Sequence, residues 1–302
     1  MAHLDDSHDI DRGATATSPT SPSPDRAGAR RAVVSVPADL RVTFGGVLLS
    51  EWIKLRSVRS TVKTYVAAIG LLLFFGLMAA AFTGGLLTAE EGQGPDAGDP
   101  TSTVLGGSMI VALVMGTLGA IVMTSEYATS TIRSTMAFVP RRLPVLWAKA
   151  VVLIAVTLPL MVLATLVTFL LGQAVLGAGD AGIETATLGD PGVLRAVLGT
   201  AAYLTGVTVL GLAFGALLRT TSTALTALFA LIFLVPGLGG ILLPVSIQDN
   251  VLLYLPSNAA SAFTSVTAAP GLLSAGAGAA VFTAWVLVPL LAAAVALLRR
   301  PV

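Results

Sequence analysis

Long uncharged apolar stretches alternate with short polar connections along this chain. Between Lys63 and Arg299, six stretches of more than 20 residues contain no Asp, Glu, Lys, Arg or His. A helix needs about 20 mostly apolar residues to cross a bilayer. The pattern predicts six spans, at roughly 65–87, 104–123, 146–171, 193–217, 222–243 and 272–298. Ahead of them, Phe44, Leu48, Trp52, Leu55 and Val62 recur at helical spacing and make one apolar stripe. Lys54, Arg56 and Lys63 flank it, and Arg59 falls near its centre, where its stem can snorkel toward headgroups. Residues 39–63 are therefore expected to form an amphipathic helix in the membrane interface.

The first 38 residues break this pattern. The run 15–24 is Ser, Thr and Pro, and Asp5, Asp6, Asp9 and Asp11 precede it. Such a segment buries too little apolar surface to offset its ordering entropy, so a disordered tail is expected. It has no apolar core of the signal-peptide kind. The expected organisation is thus a tail over 1–38, an amphipathic helix over 39–63 and a six-span domain over 64–302.

Two regions of the spans carry further signals. Gly116 with Gly119, Gly211 with Gly215, and Ser274 with Gly278 place small residues where helix backbones can approach closely, either within the chain or between subunits. Pro236, Gly237, Gly239, Gly240 and Pro244 interrupt the helical pattern of the fifth stretch. Beyond Asp249, the chain is uncharged from Asn250 to Leu298, too long for one helix. Irregular backbone at membrane depth must be covered by protein or line a water-filled cavity. A short external re-entrant segment before the last span is expected, with a plain hydrophobic outer loop as the alternative.

Charge settles the expected orientation. Lys54, Arg56, Arg59 and Lys63 precede the first stretch, Arg133, Arg141, Arg142 and Lys149 lie between the second and third, Arg219 follows the fourth, and Arg299 and Arg300 end the chain. The other connections hold Glu90, Glu91, Asp96, Asp99, Asp180, Glu184, Asp190 and Asp249, with Arg195 as their one base. Cytoplasmic loops collect Lys and Arg, so both termini are expected in the cytoplasm. With 55% hydrophobic and 11% charged residues, the chain lies far from the roughly 25% charged residues of soluble domains. The net charge of +1 is sorted by side and makes no nucleic-acid patch.

The same residues exclude several chemistries. There is no cysteine, and the two histidines, His3 and His8, sit in the tail. No HExxH or GxSxG occurs, and no Gly-x4-Gly-Lys-Ser/Thr loop is present to hold nucleotide phosphates. Active transport would draw its energy from another polypeptide, through a surface able to receive force. The connection from Thr124 to Val145 is the longest on the basic side. Ile132, Met136 and Val139 fall at helical spacing there, and Pro140 stops the helix. Seven Ser or Thr between Thr124 and Arg142 make it a poor helix unless it packs on a neighbour. On these grounds it reads equally as a docking helix or as an ordinary positive loop.

Three segments carry a family resemblance. They are Ser50-Glu51-Trp52-Ile53-Lys54-Leu55-Arg56-Ser57-Val58-Arg59-Ser60-Thr61; Glu126-Tyr127, Thr131-Ile132-Arg133, Pro140-Arg141-Arg142 and Ala148-Lys149; and Tyr254-Leu255-Pro256-Ser257-Asn258-Ala259. Over Leu48 to Arg300, the chain resembles the ABC-2 type permease subunits of ATP-binding-cassette exporters, in their actinobacterial form. The family usually has glycine where Ser130 stands. The resemblance implies an all-α fold with six transmembrane helices and a leading amphipathic helix carrying Glu51, Trp52, Lys54 and Arg56. It implies a coupling helix over 126–139, with Glu126, Thr131, Ile132, Arg133, Met136, Arg141 and Arg142 as contacts to a separate ATPase subunit. ATP and Mg would bind that partner, leaving this chain without cofactor or catalytic site. A second copy or a similar permease would complete the complex in the cytoplasmic membrane, with lipid around it. Two other readings stay open: a non-transporting scaffold or assembly protein, and an energy-independent channel or carrier.

Overall fold

The computed structural model describes residues 43–87, 99–128, 143–179, 182–244, 250–267, 271 and 273–299. The expected tail over 1–38 lies outside them. Among the described residues there is no strand, and six helices are long and apolar enough to cross a membrane. The chain is an all-α multi-pass membrane protein.

Helix α1 (Phe44–Ser57) starts after Thr43, whose hydroxyl accepts the Gly46 N–H at 3.3 Å. It ends at Val58, where the backbone turns extended, at φ −81° and ψ 106°. The Ser57 hydroxyl donates to the Lys54 carbonyl at 3.1 Å, satisfying one end group of the helix. Helix α2 (Arg59–Thr83) follows at once and forms the first span. The helix expected over 39–63 is therefore two helices on different axes, and Arg59 to Lys63 belong to the span. Phe44, Trp52 and Val62 are exposed, whereas α1 buries Val47 and Glu51. Periodicity finds an apolar face but does not say whether protein or lipid covers it.

The second span combines α3 (Pro100–Leu105) and α4 (Ser108–Ala128), joined at Gly106 and Gly107. Asp99 caps α3 by accepting the Thr101 and Ser102 N–H groups. Helix α5 (Leu143–Gly177) is 35 residues long, about 52 Å at 1.5 Å per residue. That exceeds a hydrocarbon core of about 30 Å, so part of the helix extends beyond the core. Helix α6 (Val193–Leu218) is the fourth span. Helices α7 (Thr221–Phe229) and α8 (Val235–Leu242) are joined by a π turn over Ala230–Leu234 and together make the fifth. Helix α9 (Pro256–Thr264) is short, and α10 (Ala275–Arg299) is the last span.

The fifth span does not break where its prolines and glycines suggested. It continues through Pro236, Gly237, Gly239 and Gly240 to Leu242. The π turn explains this. Pro236 has no N–H to give the Ile232 carbonyl, and the residue just before it, Val235, sends its N–H back to the Ala230 carbonyl. The widened turn falls where the proline disturbs the α-helical ladder. The segment before the last span is likewise structured. Helix α9 packs on α6 and α10 and buries Leu255, Ala259 and Phe263. Trp285 donates through Nε1 to the Tyr254 carbonyl at 2.7 Å, and Asn258 to the Leu252 carbonyl at 2.8 Å. Arg195 donates to the Ser265 carbonyl at 2.8 Å.

Helix α6 is the hub. Of its spanning window 72% is buried, against 17% for the α7–α8 span at the periphery. Lipid tails are as apolar as leucine, so close packing rather than water exclusion holds such helices together. Glycine makes that packing possible between α4 and α6. A Cβ on Gly119 would collide with the Thr208 carbonyl, and one on Gly211 with the Gly116 carbonyl. A Cβ on Gly215 would lie 2.9 Å from the Ala120 carbonyl oxygen. On α10, a Cβ on Gly278 would collide with the Ala259 carbonyl. Ser274 instead caps α10 through the Ala277 N–H. The small pairs thus serve packing within the chain.

Candidate functional site

Contacts gather Lys54, Glu126, Lys149 and Arg219 at one end. Arg195, in the first turn of α6, lies at the opposite end of that helix from Arg219. At the Arg219 end, three of those gathered residues meet Glu51. Glu51 and Lys54 come from α1, Glu126 from the last turn of α4 and Lys149 from the second turn of α5. The Lys149 ammonium donates to Glu51 Oε2 at 2.5 Å and to Glu126 Oε1 at 2.9 Å. The Lys54 ammonium donates to Glu51 Oε1 at 2.7 Å and to Glu126 Oε1 at 3.2 Å. Two acids and two bases therefore share one site of zero net charge.

Local sequence explains how they converge. Glu51 and Lys54 are three residues apart on α1, so both face the same side. Val47 lies one turn earlier and packs with Val145 and Ala148 of α5, which seats that face against the third span. Ala148 and Ala150, its neighbours in sequence, are buried as Lys149 is.

Burial is deep for three of the four. The side chains of Glu51 and Lys149 are each 4% exposed, Glu126 11% and Lys54 38%. Burial alone would push the Glu51 carboxyl up. The Lys149 charge and the hydrogen bonds from Lys149 and Lys54 outweigh it and hold Glu51 below the usual carboxylate range. For Lys54, burial alone pushes down, but hydrogen bonds and charge from Glu51 and Glu126 prevail and hold it above the usual lysine value. Removing one partner of such a buried pair costs about 3–5 kcal/mol, because the other charge is stranded.

The end of α4 is also tied to the corner between α6 and α7. Thr124 and Thr221 share a hydroxyl hydrogen bond of 2.7 Å. The Arg219 guanidinium lies 5.7 Å from the centre of the Tyr127 ring, within cation–π range. Arg219 ends α6 in the left-handed region, at φ 60°. One turn of α4 thus touches α1, α5 and the α6–α7 corner.

Of the residues expected on the leading helix, Glu51 and Lys54 enter the network, while Trp52 and Arg56 face outward. Among the expected coupling contacts, Glu126 turns inward onto the two lysines. It belongs to the span helix, which runs to Ala128, and so does not open a separate helix. Thr131, Ile132, Arg133, Met136, Arg141 and Arg142 lie outside the described residues. Lys149 was not singled out as a site residue. Its signal was present as a single lysine where a long apolar run begins, a position at which an ionisable residue marks a candidate site.

No family model matches the chain, and no curated protein matches it.

Proposed function

We propose that this chain is the membrane-spanning permease subunit of an ABC-2 type exporter in the cytoplasmic membrane. Both termini lie in the cytoplasm, because the basic end of the bundle is the cytoplasmic one by the positive-inside rule. The segment around α9 then lies toward the outer face. ATP and Mg are bound by a separate ATPase subunit, and a second copy or a similar permease completes the complex.

One observation carries this reading. The ion network joins α1 to both helices that bracket residues 129–142, the connection proposed to seat on the ATPase. Force on that connection reaches the ends of α4 and α5, and the buried pairs carry α1 with them. The helices then rock as one body rather than separating at their weakest contact. Thr131, Ile132, Arg133, Met136, Arg141 and Arg142 are the proposed contacts, and Glu51, Lys54, Glu126 and Lys149 transmit the movement.

The test is capture of an ATP-binding-cassette ATPase by the full chain in mild detergent. Wild type is expected to retain it, and Arg133→Glu combined with Ile132→Asp to lose it at equal membrane levels. Retention by the double variant would remove the coupling role of this connection. Recovery of a bare monomer, where comparable complexes survive, would favour a scaffold or an energy-independent carrier.

A further inference from the structure

A cavity of about 380 Å³ lies between α1, α2, α4 and α5, with the ion network on one wall. Its opposite wall is the start of α2. That helix begins at Arg59, preceded by Val58 with no side-chain cap, and has no acidic residue in its first turn. An uncapped start presents the positive end of the helix dipole, with the Thr61 N–H already donated to the Val58 carbonyl at 3.0 Å. Thr61 adds an independent signal. It is 6% exposed and lines the cavity, and its hydroxyl has no hydrogen-bond partner among the described residues. A hydroxyl that lines the cavity in this way can donate to a ligand there. Lys54, also on the wall, uses two ammonium N–H groups on Glu51 and Glu126 and keeps a third.

The charges favour an anion. The two carboxylates are engaged by two ammonium groups, and the four sum to zero. Arg56, Arg59 and Lys63 leave the surroundings positive. The remaining wall is apolar, with Leu118, Ile121, Val122 and Val152. A second cavity of about 440 Å³ shares Thr64 with the first and runs beside Lys63, Leu113, Val114 and Thr117. A small soluble anion would leave these apolar walls without a partner.

We propose that the cavity holds the phosphate of an acidic glycerophospholipid at the start of α2, with an acyl chain along the α4 wall. Thr61, Ser60 and the third N–H of Lys54 donate to the phosphate oxygens. The proposal needs only that the chain lies in a bilayer, and it stands whether or not the chain is a permease.

The experiment uses the full chain purified from membranes and placed in nanodiscs of mixed phosphatidylglycerol and phosphatidylcholine. Lipid retained per chain is read by native mass spectrometry. Thermal stabilisation is then measured with short-chain phosphatidylglycerol, short-chain phosphatidylcholine and inorganic phosphate. Phosphatidylglycerol is expected to be retained selectively and to stabilise, while phosphatidylcholine and inorganic phosphate do neither. Thr61→Val, nearly isosteric, is expected to weaken this roughly tenfold, the loss of one hydrogen bond to a charged group. Ser60→Ala, at an exposed position, gives a second reading that does not depend on core packing. Arg195→Ala, at the opposite end, is expected to change nothing. Equal retention of both lipids, or undiminished selectivity in both hydroxyl variants, would overturn the proposal. Stabilisation by inorganic phosphate equal to that by the lipid would overturn the lipid as occupant.

Discussion

The Lys149 ammonium lies 2.5 Å from Oε2 of Glu51, across 98 residues of sequence, with both side chains buried. The same ammonium reaches Glu126, so three helices depend on one lysine. Lys149→Met is therefore expected to destabilise the protein by about 3–5 kcal/mol, since two carboxylates lose their buried partner. Combining it with Glu51→Gln is expected to cost less than the sum of the single changes. Unfolding in mild detergent measures both, and strictly additive losses would show that the pair is not coupled. Lys54→Met, at a half-exposed position, is expected to cost only about 0–1 kcal/mol.

The pH dependence of α1 follows from the two shifted groups. Glu51 is held below its ordinary value, so its contribution is full above about 4.3 and fades as pH falls through the lower folded value. Lys54 is held above its ordinary value, so its contribution is full below about 10.4 and fades as pH rises through the higher folded value. Helix α1 is expected to stay anchored between these limits and to loosen in acid. Spin labels on Leu49 and Val151, both exposed, report the distance between α1 and α5. Its distribution is expected to stay narrow near neutrality and broaden in acid. Broadening centred on neutral pH would contradict the assignment.

Close approach of α4 and α6 makes a sharp contrast among glycines. Gly119→Ala would drive a methyl group into the Thr208 carbonyl, which backbone cannot easily yield. A loss of about 1–3 kcal/mol is expected from overpacking. Gly70→Ala meets nothing within 4 Å and is expected to be neutral or slightly stabilising. Melting temperatures in one detergent compare the two directly.

Orientation can be read by chemistry, because the chain has no native cysteine. Single cysteines at Gly94, Gly182 and Asp249 are expected to react with an impermeant thiol reagent in intact cells. A cysteine at Ser134 is expected to react only after permeabilisation. Reversal at any one site would break the six-span topology with both termini inside.

Counting and patterning alone delivered the number of spans and their sorted ends. Charge cannot enter the hydrocarbon without a large penalty, so its absence over six long stretches leaves few alternatives. Periodicity did less well where two surfaces compete for the same apolar residue. Phe44 and Glu51, seven residues apart, fall on nearly the same face of α1, yet Phe44 is exposed and Glu51 is buried. The turn at Val58 and the π turn before Pro236 were hidden for a related reason. Each depends on where hydrogen bonds go when a helix meets its neighbours, and composition does not record that. Above all, sequence placed Glu51, Glu126 and Lys149 in three separate segments and gave no reason to join them. Only the packing of α1 and α4 against α5 brings two acids and a lysine within hydrogen-bond reach, because opposite charges withdrawn from water must find each other.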